Sequence, residues 1–113
     1  RAQVEAARLQ SARDLCHRSG AVALLKGPGT LICAPDALPV VLQGGTPVLA
    51  TAGSGDVLSG VIAALLARGM DAADAATCGA VLHARAGTLA GMGDGTIASD
   101  VIEALPAARQ VSA

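Results

Sequence analysis

Phenylalanine, tyrosine and tryptophan are all absent from these 113 residues. The core must then be built from Val, Leu, Ile and Ala, which bury less area per residue than aromatics do, and it is expected to be thin. Because a chain of this size already buries a smaller fraction of its surface than a larger domain, a thin core predicts stability only against further polypeptide. The opening on Arg1 rather than Met fits a fragment or a processed product. An excess of charge is also lacking: 8 Lys and Arg stand against 9 Asp and Glu, for a formal net charge of -1. With no Lys/Arg cluster either, nucleic acid is an unlikely class of partner. Long hydrophobic runs are missing, since the most apolar stretches, 57–67 and 21–25, fall well short of the roughly 20 residues that cross a bilayer. Cys16, Cys33 and Cys78 show no metal-ligand spacing and follow no signal peptide, so they read as reduced core residues of a cytoplasmic protein.

What is present has an α/β pattern. Over residues 3–19, Leu9, Ala12, Leu15 and Cys16 recur at three- and four-residue steps with Arg8, Arg13 and Asp14 between them, which predicts an amphipathic helix closed by Gly20. The continuous apolar run 21–25 predicts a strand covered on both faces, ending at Lys26. Strands over 30–34 and 39–42, joined by Pro35-Asp36-Ala37, predict a hairpin. A Gly-, Thr- and Ser-rich loop over 43–55 leads into a helix over 56–68 so apolar all round that it belongs inside a domain. Further helices are expected from Asp71 or Ala72 to Leu89 and over 100–104, the last with Asp100 and Glu103 spaced as a capping pair, and a loop over 91–95 between them.

Chemistry concentrates in two places. In Ala50-Thr51-Ala52-Gly53-Ser54-Gly55-Asp56, small residues let a ligand approach the backbone, and free N–H groups at a helix start suit an anion. A carboxylate in the first turn, favoured there by the helix field, is the residue type for a general base. The plain alternative makes Asp56 a helix cap after an ordinary glycine-rich connection. No Lys-Ser/Thr pair follows the glycines, so this is not a Walker loop. The second place is Lys26-Gly27-Pro28-Gly29-Thr30, at the end of a buried strand where ligand loops of α/β sheets collect. Seven of the eight basic residues are Arg and Lys26 is the only lysine, so a compact ammonium here stands out, against the alternative of a surface lysine beside a turn. Lesser candidates are His83, more readily structural than a proton shuttle on its apolar helix, Asp71 and Asp74, more readily solvated first-turn carboxylates, and Asp94, more readily a turn residue.

A strand ending in Lys-Gly-x-x-Thr, a hairpin, then Ala-Thr-x-Gly-Ser-Gly-Asp-Val-Leu-Ser-Gly opening a helix resembles the C-terminal half of NAD(P)H-hydrate dehydratases. The resemblance continues through Val81-Leu82-His83, Ala86-Gly87 and Ile97-Ala98-Ser99-Asp100, so it covers nearly the whole chain. It departs at Gly45-Thr46-Pro47-Val48, where the family usually has Gly-Asn-Pro-Gly. The resemblance implies that residues 1–113 form a single partial domain, the C-terminal, nucleotide-binding part of a ribokinase-like three-layer α/β/α fold. It further implies repair of hydrated NADH and NADPH at the expense of ADP or ATP, with Mg²⁺ on the nucleotide and no metal held by these residues. Asp56 would be the catalytic base and touch the substrate. Gly53, Ser54 and Gly55 would form the anion hole, and Lys26, Gly27, Pro28, Gly29, Thr30 and Gly55 would hold the nucleotide. The partner in assembly would be the missing N-terminal half or a second copy. A vitamin or sugar kinase of the same superfamily, and a non-catalytic nucleotide-binding module, remain the alternatives.

Overall fold

The structure, a computed structural model, describes residues 2–27, 29–43, 53–90 and 98–109. Helix α1 (Ala2–Ser19) is followed by strands β1 (Ala23–Leu25), β2 (Thr30–Cys33) and β3 (Val40–Leu42), and then by helices α2 (Ser54–Ala67), α3 (Ala72–Ala90) and α4 (Ala98–Ala108).

The strands form one sheet in the order β1-β2-β3, antiparallel throughout, with Ala23 opposite Cys33, Leu25 opposite Leu31, and Thr30 opposite Leu42. The second hairpin follows from turn chemistry. Asp36 adopts φ +59° between β2 and β3, a conformation its short carboxylate tolerates. Residues 26–29 link β1 to β2.

Period-two alternation sends the strand side chains to opposite faces. Ala23, Leu31 and Cys33 pack with Ala12 and Cys16 of α1, while Ile32, with Val22, Leu24 and Leu42, packs with Ala76 and Ala80 of α3. The result is three layers, α1, sheet, and α3 with its neighbours, as the sequence predicts. The double-sided cover expected for the first strand is present, although the strand is shorter, beginning at Ala23 rather than Ala21.

Helix α1 ends as expected: Gly20 has φ +68° and its N–H bonds the Cys16 carbonyl at 2.9 Å. Leu15 departs from expectation. It is 59% exposed, because at 100° per residue it lies well round the helix from the Ala12–Cys16 seam. Helix α2 departs twice. It starts at Ser54, two residues earlier than expected, and its apolar circumference is only partly covered: Leu58 is buried, whereas Leu66 is 45% exposed. The last helix is also longer than expected, running from Ala98 through Pro106 to Ala108, so Asp100 lies within its first turn rather than at the cap.

Helices α2, α3 and α4 pack on one another at close range. A Cβ added to Gly79 of α3 would lie 2.6 Å from Ile62 Cγ1 of α2, so the absent side chain sets the approach of the two helices. Ala86, Val101 and Ala108 close the seam between α3 and α4, joined by Val57 from α2.

Candidate functional site

The start of α2 is built without a side-chain cap. Gly53 is the N-cap in the left-handed region, φ +85°, which glycine adopts without strain. Its carbonyl accepts from the N–H groups of Asp56 and Val57, at 3.1 and 3.2 Å. The Ser54 and Gly55 amides come too early to find partners within the helix, so the partial positive charge of the helix end gathers there. Asp56 is exposed in this first turn and is not the cap, so the cap explanation for a carboxylate at this position does not apply.

Lys26 leaves the end of β1 and brings its ammonium to the same place: Nζ lies 3.7 Å from where a Gly55 Cβ would stand. A Cβ at residue 55 would be in ordinary contact with the ammonium. The helix end and the only lysine of the chain therefore act on one volume.

Ser54 is wholly buried, and its Oγ lies 3.0 Å from Nε2 of buried His83 on α3, the imidazole tautomer deciding which group donates. Burial lowers the pKa of His83 below its ordinary value, the nearby Lys26 charge lowers it further, and hydrogen bonding to the Ser54 backbone opposes both. The neutral imidazole is thus favoured. Ala98, at the start of α4, completes the cluster, its Cβ 3.3 Å from where a Gly53 Cβ would lie.

The loop carrying Lys26 is tied to α1. Arg8 Nη2 donates to the Gly29 carbonyl at 2.7 Å, and its guanidinium lies against Gly27. Thr30 opens β2, half-buried. Pro28 lies outside the described residues, as do Thr46, Val48 and Asp94.

Of the sequence-predicted residues, Lys26, Gly53, Ser54, Gly55 and Asp56 meet at the start of α2, with Gly27 and Gly29 behind Lys26. Asp71 and Asp74 do not join them. Asp71 caps α3, its carboxylate accepting from the Ala73 and Asp74 N–H groups at 3.1 and 3.4 Å. Asp74 lies nine residues before His83 on that helix, roughly 13 Å along the axis. A cavity of about 450 Å³ between the end of α1 and the turn over 35–39 is lined by none of the predicted site residues. We assign it no chemistry. Sequence reasoning missed the contacts of Ser54 with His83 and of Arg8 with the loop. A faint signal for the first lay in the spacing of Ala76, Ala80, His83 and Gly87, which places the imidazole on the inward face of α3.

The layers and this convergence define part of an α/β/α domain with its candidate site at the glycine-led start of α2. The model of the NAD(P)H-hydrate dehydratase family matches residues 2–107, and the chain belongs to that family. It is 43% identical over 112 residues to the ADP-dependent (S)-NAD(P)H-hydrate dehydratase of Neisseria meningitidis, covering 96% of this chain and 37% of that protein. It is 42% identical over 108 residues to the bifunctional NAD(P)H-hydrate repair enzyme Nnr of Escherichia coli, covering 92% of this chain and 21% of that one. Among solved structures, Bacillus subtilis YxkO of the UPF0031 family superposes with a TM-score of 0.84 at 26% identity, over 93% of this chain and 40% of YxkO. The chain thus spans well under half the length of these relatives.

Proposed function

We propose that this chain is the nucleotide-binding part of an enzyme that dehydrates hydrated NADH and NADPH, using ADP or ATP, in the cytoplasm. The observation that carries the reading is the meeting of the Lys26 ammonium with the first-turn amides of α2 at Gly55, a cradle suited to a phosphoryl group. The names of the Neisseria and Escherichia relatives support the substrate, and the ADP-dependence in the Neisseria relative's name supports the use of a nucleotide. Three free thiols, two of them buried in the core, suit a reducing compartment.

In the mechanism, Asp56 takes the proton from the hydroxyl of the hydrated ring. That oxygen attacks the terminal phosphorus, and the bond from phosphorus to the bridging oxygen breaks, leaving the nucleotide one phosphate shorter. Charge developing on the transferring group is met by the amides of Gly53, Ser54 and Gly55 and by Lys26. Phosphate then leaves with the C–O electron pair, a proton departs from the neighbouring ring carbon, and the double bond is restored. Lys26 and the loop over 26–30 hold the nucleotide. Among the described residues no three His, Cys, Asp or Glu side chains gather to hold an ion, so Mg²⁺ would be bound by the nucleotide's own phosphates.

The remainder of the pocket would come from polypeptide beyond this chain or from a second copy. The test is phosphate release by the full-length protein with hydrated NADH, hydroxymethylpyrimidine, hydroxyethylthiazole and ribose, each with ADP and with ATP. Turnover confined to the hydrated cofactor supports the proposal, and turnover of a vitamin or sugar alone makes the protein a kinase. Nucleotide binding without turnover of any of them makes it a binding module.

A further inference from the structure

The loop over 26–29 has an outer support that the proposed chemistry does not use. Arg8 stands in the middle of α1, on the layer opposite α2 and α3, and is half-buried. Its Nη2 donates to the Gly29 carbonyl at 2.7 Å, across 21 residues of sequence. The same guanidinium covers Gly27 so closely that a Cβ there would lie 2.9 Å from Cζ and nearer still to Nη2. Cζ is the centre of a planar group tied to the Gly29 carbonyl, so a methyl at residue 27 would have to push that group aside and strain or break its hydrogen bond. Lys26 lies directly before this clamp. On its other side the chain is fixed by β1, where Leu25 pairs with Leu31.

We propose that Arg8 is a positioning residue for the nucleotide site: it fixes the loop over 26–29 from outside, so that the Lys26 ammonium stays at the start of α2. Gly27 is glycine to admit Arg8, not to let the nucleotide approach. This deepens the nucleotide-binding reading above and rests on it for its effect on catalysis. The physical basis is entropic. Gly27 and Gly29 each have wide backbone freedom, and a charge-assisted hydrogen bond from a planar group narrows it before the ligand arrives.

The test is a double-mutant cycle in the full-length protein with Arg8→Ala, Gly27→Ala and the pair, plus Arg8→Lys, reading nucleotide KM, kcat and melting midpoint. Arg8→Ala should raise the nucleotide KM about tenfold, as for loss of one charge-assisted hydrogen bond, and leave kcat within about twofold. Gly27→Ala alone should raise KM by a similar factor, and the pair should be no worse than Arg8→Ala alone, because the three atoms nearest the added methyl all belong to Arg8. Arg8→Lys should fall between, since an ammonium can reach the Gly29 carbonyl but cannot cover Gly27. Multiplying effects in the pair would show that Gly27 faces the nucleotide and would overturn the proposal, as would an Arg8→Ala protein with unchanged KM. If Arg8→Ala does not fold, Gly27→Ala in the Arg8→Lys background gives the same comparison: a milder cost than in wild type supports the clamp and an equal cost refutes it. If the wild type uses no nucleotide, the proposed function fails, while the coupling of Arg8 with Gly27 is still decided by the melting midpoints.

Discussion

Asp56 is the residue whose substitution distinguishes chemistry from architecture. The N-cap of α2 is Gly53 and no side chain caps the helix, so the structural contribution left to the Asp56 charge is its interaction with the helix start, about 0.3–1 kcal/mol. Asp56→Asn is therefore expected to lower the melting midpoint only slightly and leave nucleotide affinity within a few-fold, while kcat falls at least about 100-fold, the usual cost of losing a general base. Side-by-side turnover, binding and melting measurements check this, and near-normal turnover would end the assignment. His83 offers a second test through pH. Its pKa is lowered by burial and by Lys26, so between that value and the ordinary one near 6.5 the unfolded chain binds a proton that the folded chain does not. Stability should accordingly be full above about pH 6.5 and decline as the pH falls through the lowered pKa. The decline should shrink in His83→Gln. Melting midpoints between pH 8 and 5 decide it, and identical slopes for the two proteins would mean that the shift has no thermodynamic weight.

Two glycines one helix apart are expected to behave oppositely. Gly79 meets Ile62 of α2, whose β-branched side chain has little rotamer freedom in a helix, so Gly79→Ala should destabilise by about 1–3 kcal/mol through overpacking. Gly60 on α2 has nothing within 4 Å of its missing Cβ, and Gly60→Ala should stabilise this chain by about 0.5–1 kcal/mol through helix propensity. Denaturant titration of the two variants checks both signs. The same contrast shows what could be read from the sequence. Periodicity and turn residues identified every element, because local patterns carry local information. The start of α2 was misplaced because Ser54 and Gly55 have loop-like composition, yet the left-handed Gly53 lets the helix begin before them. Pro106 concealed the length of α4 in the same way. At the site, the Lys26 and Gly55 motifs were legible one by one. The contacts of Ser54 with His83 and of Arg8 with Gly27 join residues 29 and 19 apart, and nothing in a periodic pattern names the partner of a polar side chain across such distances.

At the scale of the molecule, the helix layer leaves large apolar side chains uncovered. Leu66 on α2, Val81 and Leu89 on α3, and Ile102 on α4 are 40% exposed or more. Surface of this kind ordinarily meets other polypeptide, and the relatives carry more than this chain covers. Sedimentation of the chain alone at micromolar concentration is expected to show association, and a compact, stable monomer would contradict that.

The site draws on α1 through Arg8, on the first hairpin through Lys26, on the starts of α2 and α4, and on the middle of α3 through His83. No single segment holds it, so it exists only while all three layers are docked. A ligand that fits it must then oppose global unfolding rather than the fraying of one loop, by about 2.7 kcal/mol at a hundred times its dissociation constant. Amide hydrogen exchange in α1, on the far side of the sheet from α2, should slow along with exchange at the helix start itself.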